Sequence, residues 1–127
     1  MDSRSSGKEG EKIAEDFLRK KGYKILEKNF VPKNLWPQRG EIDIIAEDKG
    51  RIVFVEVKSS FSESYISPEM RVNSRKLKRI KKVAKSYLFE KGIASQNWQI
   101  DIISIKKEGD KVFVKHFENV FSWEDIL

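Results

Sequence analysis

Apolar and polar positions follow two rhythms along this chain. In residues 7–22, Ile13, Ala14, Phe17 and Leu18 recur at helical spacing and predict an amphipathic helix. At about 100° per residue, Gly7 and Gly10 fall on the same stripe. Each costs roughly 1 kcal/mol against alanine inside a helix, a cost that close approach to another backbone would offset. Residues 1–6 are polar and are expected to fray. Residues 23–30, 41–47 and 51–58 read as strands, the last two joined at Lys49-Gly50. Pro32, Pro37 and Gly40 make 31–40 a loop, and 59–72 is Ser-rich and irregular. A second helix is predicted over 74–91, with Asn73 or Ser74 as N-cap and a stop near Gly92. Residues 97–106 and 111–117 form a strand pair around Glu108-Gly109-Asp110. The tail 118–127 carries Phe121, Trp123, Ile126 and Leu127 and is expected to dock. The order α-β-β-β-α-β-β predicts one α/β domain over 1–127, a mixed five-stranded sheet flanked by helices.

The first hairpin concentrates the chemistry. Strand residues alternate faces, so Glu41 and Asp43 are expected on one face and Ile42 and Ile44 on the other. Phe54, Glu56 and Lys58 share a face of the next strand, and Val53, Val55 and Val57 point the opposite way. A two-residue loop at Lys49-Gly50 sets Asp48 opposite Arg51, Asp43 opposite Glu56 and Glu41 opposite Lys58. Directly opposed residues have Cβ atoms about 4.5–5.5 Å apart, and two opposed carboxylates repel. A divalent cation between Asp43 and Glu56 reverses that sign. Lys58 can hold a water or stabilise charge on a phosphate in the transition state. These are the parts of a phosphodiester hydrolase using Mg²⁺ or Mn²⁺. The plain alternative is a solvated sheet face on which Glu41 and Lys58 form an ordinary ion pair. The dense apolar flanks (Ile44-Ile45-Ala46 and Ile52-Val53-Phe54-Val55) argue for burial on both faces instead, where unpaired charge is costly.

Composition narrows the choice. The chain has no cysteine and one histidine, His116. That excludes thiolate chemistry and two-histidine metal sites, and leaves a hard cation on oxygen ligands. His116 has no apparent partner motif, and Trp98 and Trp123 read as packing residues; Trp36 is the exception, since its loop runs straight into the Glu41-Asp43 strand. There is no apolar run of about 18 residues and no apolar h-region among the first eleven. A soluble, cytoplasmic protein without a membrane partner is expected.

The net charge is +6, from 26 basic and 20 acidic residues. Eight of the basic residues lie between Arg71 and Lys85, a stretch without an acid. The excess is therefore local, which favours a polyanionic partner over a uniformly basic surface. On a helical wheel Arg75, Lys78, Arg79, Lys82 and Lys85 point outward. Lys76 falls among the buried positions Leu77, Ile80, Val83, Ala84, Tyr87 and Leu88. It either reaches the acidic site or snorkels past the core edge.

Asp43, twelve intervening residues, then Glu56-Val57-Lys58 is similar to the PD-(D/E)XK nuclease signature. The surrounding text is more specific. Gly7-x-x-Gly10-Glu11 with Ala14, Gly22-Tyr23-Lys24-Ile25-Leu26 and Asn29 come first. Arg39-Gly40-Glu41-Ile42-Asp43-Ile44-Ile45-Ala46 and Val53-Phe54-Val55-Glu56-Val57-Lys58 follow. Lys76, Arg79-Ile80, Ala84, Tyr87-Leu88 and Ile100-Asp101-Ile102-Ile103 complete the series. In this order they resemble the bacterial YraN-like family over roughly 5–106, a family regarded as endonucleases.

The resemblance implies a restriction-endonuclease-like fold akin to archaeal Holliday junction resolvases. It implies Asp43, Glu56 and Lys58 as catalytic residues. Asp43, Glu56 and the Val57 carbonyl would be metal ligands; Glu11 would either complete the set or simply be a first-turn glutamate favoured by the helix dipole. Glu41 and Lys76 would be auxiliary. The family often has arginine where Ser60 stands, and Arg-Phe-Asp where this chain has Gln99-Ile100-Asp101.

The leading expectation is a metal-dependent endonuclease acting on DNA rather than RNA, selective for a junction, flap or break. Arg71, Arg75, Lys78, Arg79, Lys82 and Lys85 would bind phosphates without reading sequence. A homodimer would suit a symmetric branched substrate, which needs two cuts. One rival is a non-catalytic nucleic-acid-binding protein on the same fold. Another is an interaction protein whose basic helix docks on an acidic partner or an anionic membrane.

Overall fold

The computed structural model describes residues 3–33, 40–60, 74–93 and 97–120, with the side chains of 3–6, 60 and 74–77 outside that description. Helix α1 (Ser3–Lys20) leads into strands β1 (Lys24–Phe30), β2 (Ile42–Asp48) and β3 (Arg51–Ser60). Helix α2 (Ser74–Glu90), β4 (Trp98–Glu108) and β5 (Lys111–Phe117) follow. The order is the one expected from the sequence. Helix α1 differs in starting at Ser3, inside the stretch expected to fray.

The strands form one mixed sheet in chain order, β1-β2-β3-β4-β5. All neighbours are antiparallel except β3 and β4, which run parallel from Ile52↔Trp98 to Ser60↔Lys106. A parallel pair needs a long crossover, and α2 lies within it. The β2–β3 turn fixes the register of the acidic hairpin. Lys49 and Gly50 both take positive φ, 52° and 83°, which a two-residue loop of matching twist requires. Asp48 then faces Arg51, and the ladder runs to Ile44↔Val55.

A core cluster lies on each face of the sheet. Ala14 and Leu18 of α1 pack with Ile44, Ala46, Val53, Val55, Ile103 and Ile105. Ile80, Val83, Ala84, Tyr87 and Leu88 of α2 pack with Ile42, Ile45, Phe54, Ile100 and Ile102. The central strands are thus apolar on both sides, as their Ile/Val runs demand. Trp98 packs edge-on against Phe54, 5.7 Å between ring centroids.

Two local expectations need correction. Ile42 and Ile44 do not share a face: Ile42 joins the α2 core and Ile44 the α1 core. The strict alternation slips between them, at Asp43. Asn29, on the neighbouring strand, has φ 52° at the same level. The two glycines of α1 also differ. A Cβ on Gly10 would stand 3.0 Å from Ser59 Oγ, so Gly10 approaches a side chain of β3 rather than another backbone, whereas Gly7 has nothing within 4 Å.

Candidate metal centre

The slip at Asp43 shapes the site. The β2–β3 ladder has its last described pair at Ile44↔Val55. One step further, the Asp43 side chain replaces the backbone: its Oδ2 accepts the Val57 N–H at 2.8 Å. The carboxylate is thereby anchored between two strands at the end of their ladder.

Two more carboxylates converge there. Ligand atoms of Glu11, Glu41 and Asp43 all lie within 4.8 Å of one another. Glu11 arrives from α1 and is held by Asn29 Nδ2, which donates to both its oxygens at 3.2 and 3.3 Å. Glu41 is exposed and precedes β2. Glu56 lines the same cavity of about 220 Å³, together with Gly40, Glu41, Asp43, Arg79, Ile80 and Val83. Lys58 does not pair with Glu41 across the hairpin. Its Nζ stands 3.3 Å from Glu56 Oε1, the two side chains being 16% and 12% exposed. The groups expected to sit on one strand face instead divide, Lys58 going to Glu56 and Glu41 to Asp43 and Glu11.

Burial pushes the Asp43 carboxyl up to about 8, and the negative charges of Glu56, Glu11 and Glu41 add to that; the Val57 N–H opposes it. A half-buried carboxyl crowded by three others is short of positive charge. The donors are all oxygens, at a spacing one cation can bridge. The residues therefore fit a hard divalent cation, held by Asp43, Glu11 and Glu41 with Glu56 lining the same cavity.

Of the expected phosphate-binding residues, Lys78, Arg79, Lys82 and Lys85 are exposed on α2. Arg79 turns toward the acidic cavity it lines. Arg71, the side chains of Arg75 and Lys76, Trp36 and the tail 121–127 lie outside the described residues.

This geometry sits on a chain whose relatives are plain. The family model "Uncharacterised protein family UPF0102" matches residues 10–105. The chain belongs to family UPF0102. A UPF0102 protein of Carboxydothermus hydrogenoformans is 37% identical over 97% of this chain and 100% of its own length. Another, of Persephonella marina, is 44% identical over 91% of each. Among solved structures, Pyrococcus furiosus SfsA in complex with Ca²⁺ superposes with a TM-score of 0.39 at 18% identity, covering 92% of this chain and 64% of that one.

The sequence reading missed a second polar cluster, on the α1 face. Asp101 Oδ2 and His116 Nε2 are 2.7 Å apart, at 0% and 4% side-chain exposure. Asp101 Oδ1 accepts from Gln99 Nε2 at 2.8 Å and from the Asn119 N–H at 2.9 Å. Lys21 Nζ lies 2.8 Å from His116 Nδ1. An ammonium only donates, so Nδ1 accepts and Nε2 carries the proton toward Asp101. Tyr23 O–H donates to Glu118 Oε1 at 3.1 Å. The Glu108-Gly109-Asp110 turn was the available signal, because it sets Ile103 opposite His116 and so Asp101 one diagonal away. Asp101, His116 and Glu118 also meet the 4.8 Å spacing for a metal. The ligating atoms of Asp101 and His116 are already bonded within the protein, however, which is the pattern of a structural network.

Proposed function

We propose that this UPF0102 protein is a Mg²⁺- or Mn²⁺-dependent endonuclease that hydrolyses DNA phosphodiesters, on a restriction-endonuclease-like fold and selective for branched or broken DNA. The observation that carries the reading is the Asp43 carboxylate, anchored on Val57 N–H and gathered with Glu11 and Glu41 within 4.8 Å. Glu56 lines the same cavity as Asp43 and pairs with Lys58.

Asp43, Glu11, Glu41 and Glu56 would hold the ion. When bound, a divalent ion supplies charge neutralisation at a phosphate and a more acidic water. The chain's own residues do the rest. Lys58, now on Glu56, is placed to orient a water or to steady the phosphoryl oxygens as charge develops. Arg79 overhangs the same cavity and can take a second phosphate oxygen, for which its planar fork is suited. Lys78, Lys82 and Lys85 continue the positive surface along α2 and would hold flanking phosphates. In the reaction, water adds to phosphorus and one P–O ester bond breaks, giving a phosphate monoester and a hydroxyl. Nothing in this set reads bases, which supports selection by shape and DNA bending rather than by sequence. A homodimer would serve a symmetric junction, and such an enzyme would act in the cytoplasm.

One observation favours a second reading, a nucleic-acid-binding protein without catalysis. Lys58 is already committed to Glu56, and a lysine that stays there does no chemistry. Incubating flap and four-way-junction DNA with Mg²⁺, Mn²⁺ or EDTA separates the two. Metal-dependent cutting that disappears in Lys58→Ala supports the nuclease. Tight binding with no cutting, unchanged by that substitution, supports the binder.

A further inference from the structure

Beyond α2 the sheet face that carries Glu56 and Lys58 continues, and it has a feature of its own. Along this face Lys58 neighbours Ser104, and Ser104 neighbours Lys115. In the next row Lys106 neighbours Phe113. These residues and Glu108 line a groove of about 300 Å³. The α2 core cluster reaches Ile102 and Phe117 but none of these groups. Phe113 is 46% exposed, on a strand at the sheet edge.

We propose that this groove is the binding track for the single-stranded arm of a DNA substrate, leading away from the scissile phosphate. The assignment rests on the nuclease reading above, and it narrows the substrate class to DNA with an unpaired arm. Charge complementarity and continuity argue for that occupant. The Lys58–Ser104–Lys115 row joins the acidic centre to the groove without a break. Lys106 pairs with Glu108 at 2.8 Å, so among the described residues lining the groove Lys115 is the cation open to a phosphate. Phe113 supplies an aromatic face beside it. Stacking on such a face needs a base whose own face is open, which a single strand offers and an intact duplex does not. A cation beside an open aromatic face is the pairing with which proteins hold single strands without reading their sequence.

The test uses the full chain, with Phe113→Ala and Lys115→Gln. Both residues are exposed, and thermal melts verify that the variants fold. Fluorescence anisotropy in Ca²⁺ measures binding of a labelled single strand, a blunt duplex and a splayed duplex. Phe113→Ala should weaken the single strand and the splayed duplex by about tenfold and leave the blunt duplex unchanged. Lys115→Gln should lower the salt slope for the single strand by about 0.7. Unchanged single-strand binding in both variants overturns the groove, as does an equal loss on the blunt duplex. If sedimentation shows that Phe113→Ala converts a dimer to a monomer, the groove is a self-interface and the proposal fails. If wild-type protein cuts nothing with Mg²⁺ or Mn²⁺ while the variants lose single-strand binding, the nuclease reading falls and the groove stands.

Discussion

The Asp43 carboxylate takes the backbone N–H of Val57 at 2.8 Å, where the β2–β3 ladder gives way. A side chain that stands in for a strand's carbonyl is fixed as firmly as the sheet. It is also half-buried among Glu11, Glu41 and Glu56, which raises its affinity for a proton. Position and charge therefore come from one local departure from regular pairing.

The pH dependence of stability follows from that carboxyl. Its folded value, about 8, lies above its ordinary value of 3.8. The native state then holds a proton that the unfolded chain releases, so this group's contribution is full below 3.8 and is lost as pH rises through 8. Metal-free protein should melt at progressively lower temperature between pH 5 and pH 8 (about the span of that titration). Asp43→Asn keeps an acceptor for Val57 and removes the titration. It should flatten the profile and melt above wild type at pH 8. A wild-type profile that rises with pH in parallel with the variant's would contradict this.

Metal should reverse the same penalty. Mg²⁺ or Mn²⁺ at about 100 times its Kd would add roughly 2.7 kcal/mol of stability. The gain should grow toward pH 8, as a proton competes less for Asp43. It should vanish in Asp43→Asn, shrink in Glu11→Gln and persist in His116→Gln, which belongs to the other cluster. Scanning calorimetry with and without the ion checks all three, and a gain surviving Asp43→Asn would move the ion elsewhere.

The buried Asp101–His116 pair should behave as scaffold. Asp101→Ala leaves the His116, Gln99 and Asn119 N–H donors without this acceptor, and about 3 kcal/mol of stability or more should go, at roughly 1–3 kcal/mol per unsatisfied buried donor. Urea denaturation measures this. A loss below about 1 kcal/mol would mean that water replaces the carboxylate. Gln99 itself is held by Arg51 Nη1 at 2.7 Å, so a guanidinium on β3 feeds this network.

The two glycines of α1 make a paired test of the helix–sheet contact. Gly7→Ala meets nothing within 4 Å and should stabilise by roughly 0.5–1 kcal/mol through helix propensity. Gly10→Val must displace Ser59 and should cost about 1–3 kcal/mol. Equal effects at the two positions would show that α1 does not rest on β3 through Gly10.

The fold was legible because its signals are local. Lys49-Gly50 sets the hairpin register, and the apolar runs of β2 and β3 announce strands buried on both faces. The site was legible by residue but not by partner. Asp43, Glu56 and Lys58 could be named, whereas Glu11 joins Asp43 and Glu41 from α1, a tertiary approach that no strand register encodes. Strict period-two alternation has no way to register the slip at Asp43, which is why Ile42 was placed on the wrong face and Lys58 against the wrong glutamate. The Asp101–His116 pair is a diagonal contact between strands, legible in principle from the Gly109 turn and lost by reading His116 alone.

Cleavage is the most direct test of the central claim. Wild type and Glu56→Ala would be incubated with labelled linear duplex, single strand, flap and four-way junction in Mg²⁺, Mn²⁺ and EDTA. The account predicts cutting of the branched substrates by wild type in either metal, none in EDTA and at least a hundredfold loss in the variant (about 2.7 kcal/mol of barrier). Cutting that persists in EDTA or in Glu56→Ala, or its absence on every substrate, would contradict it.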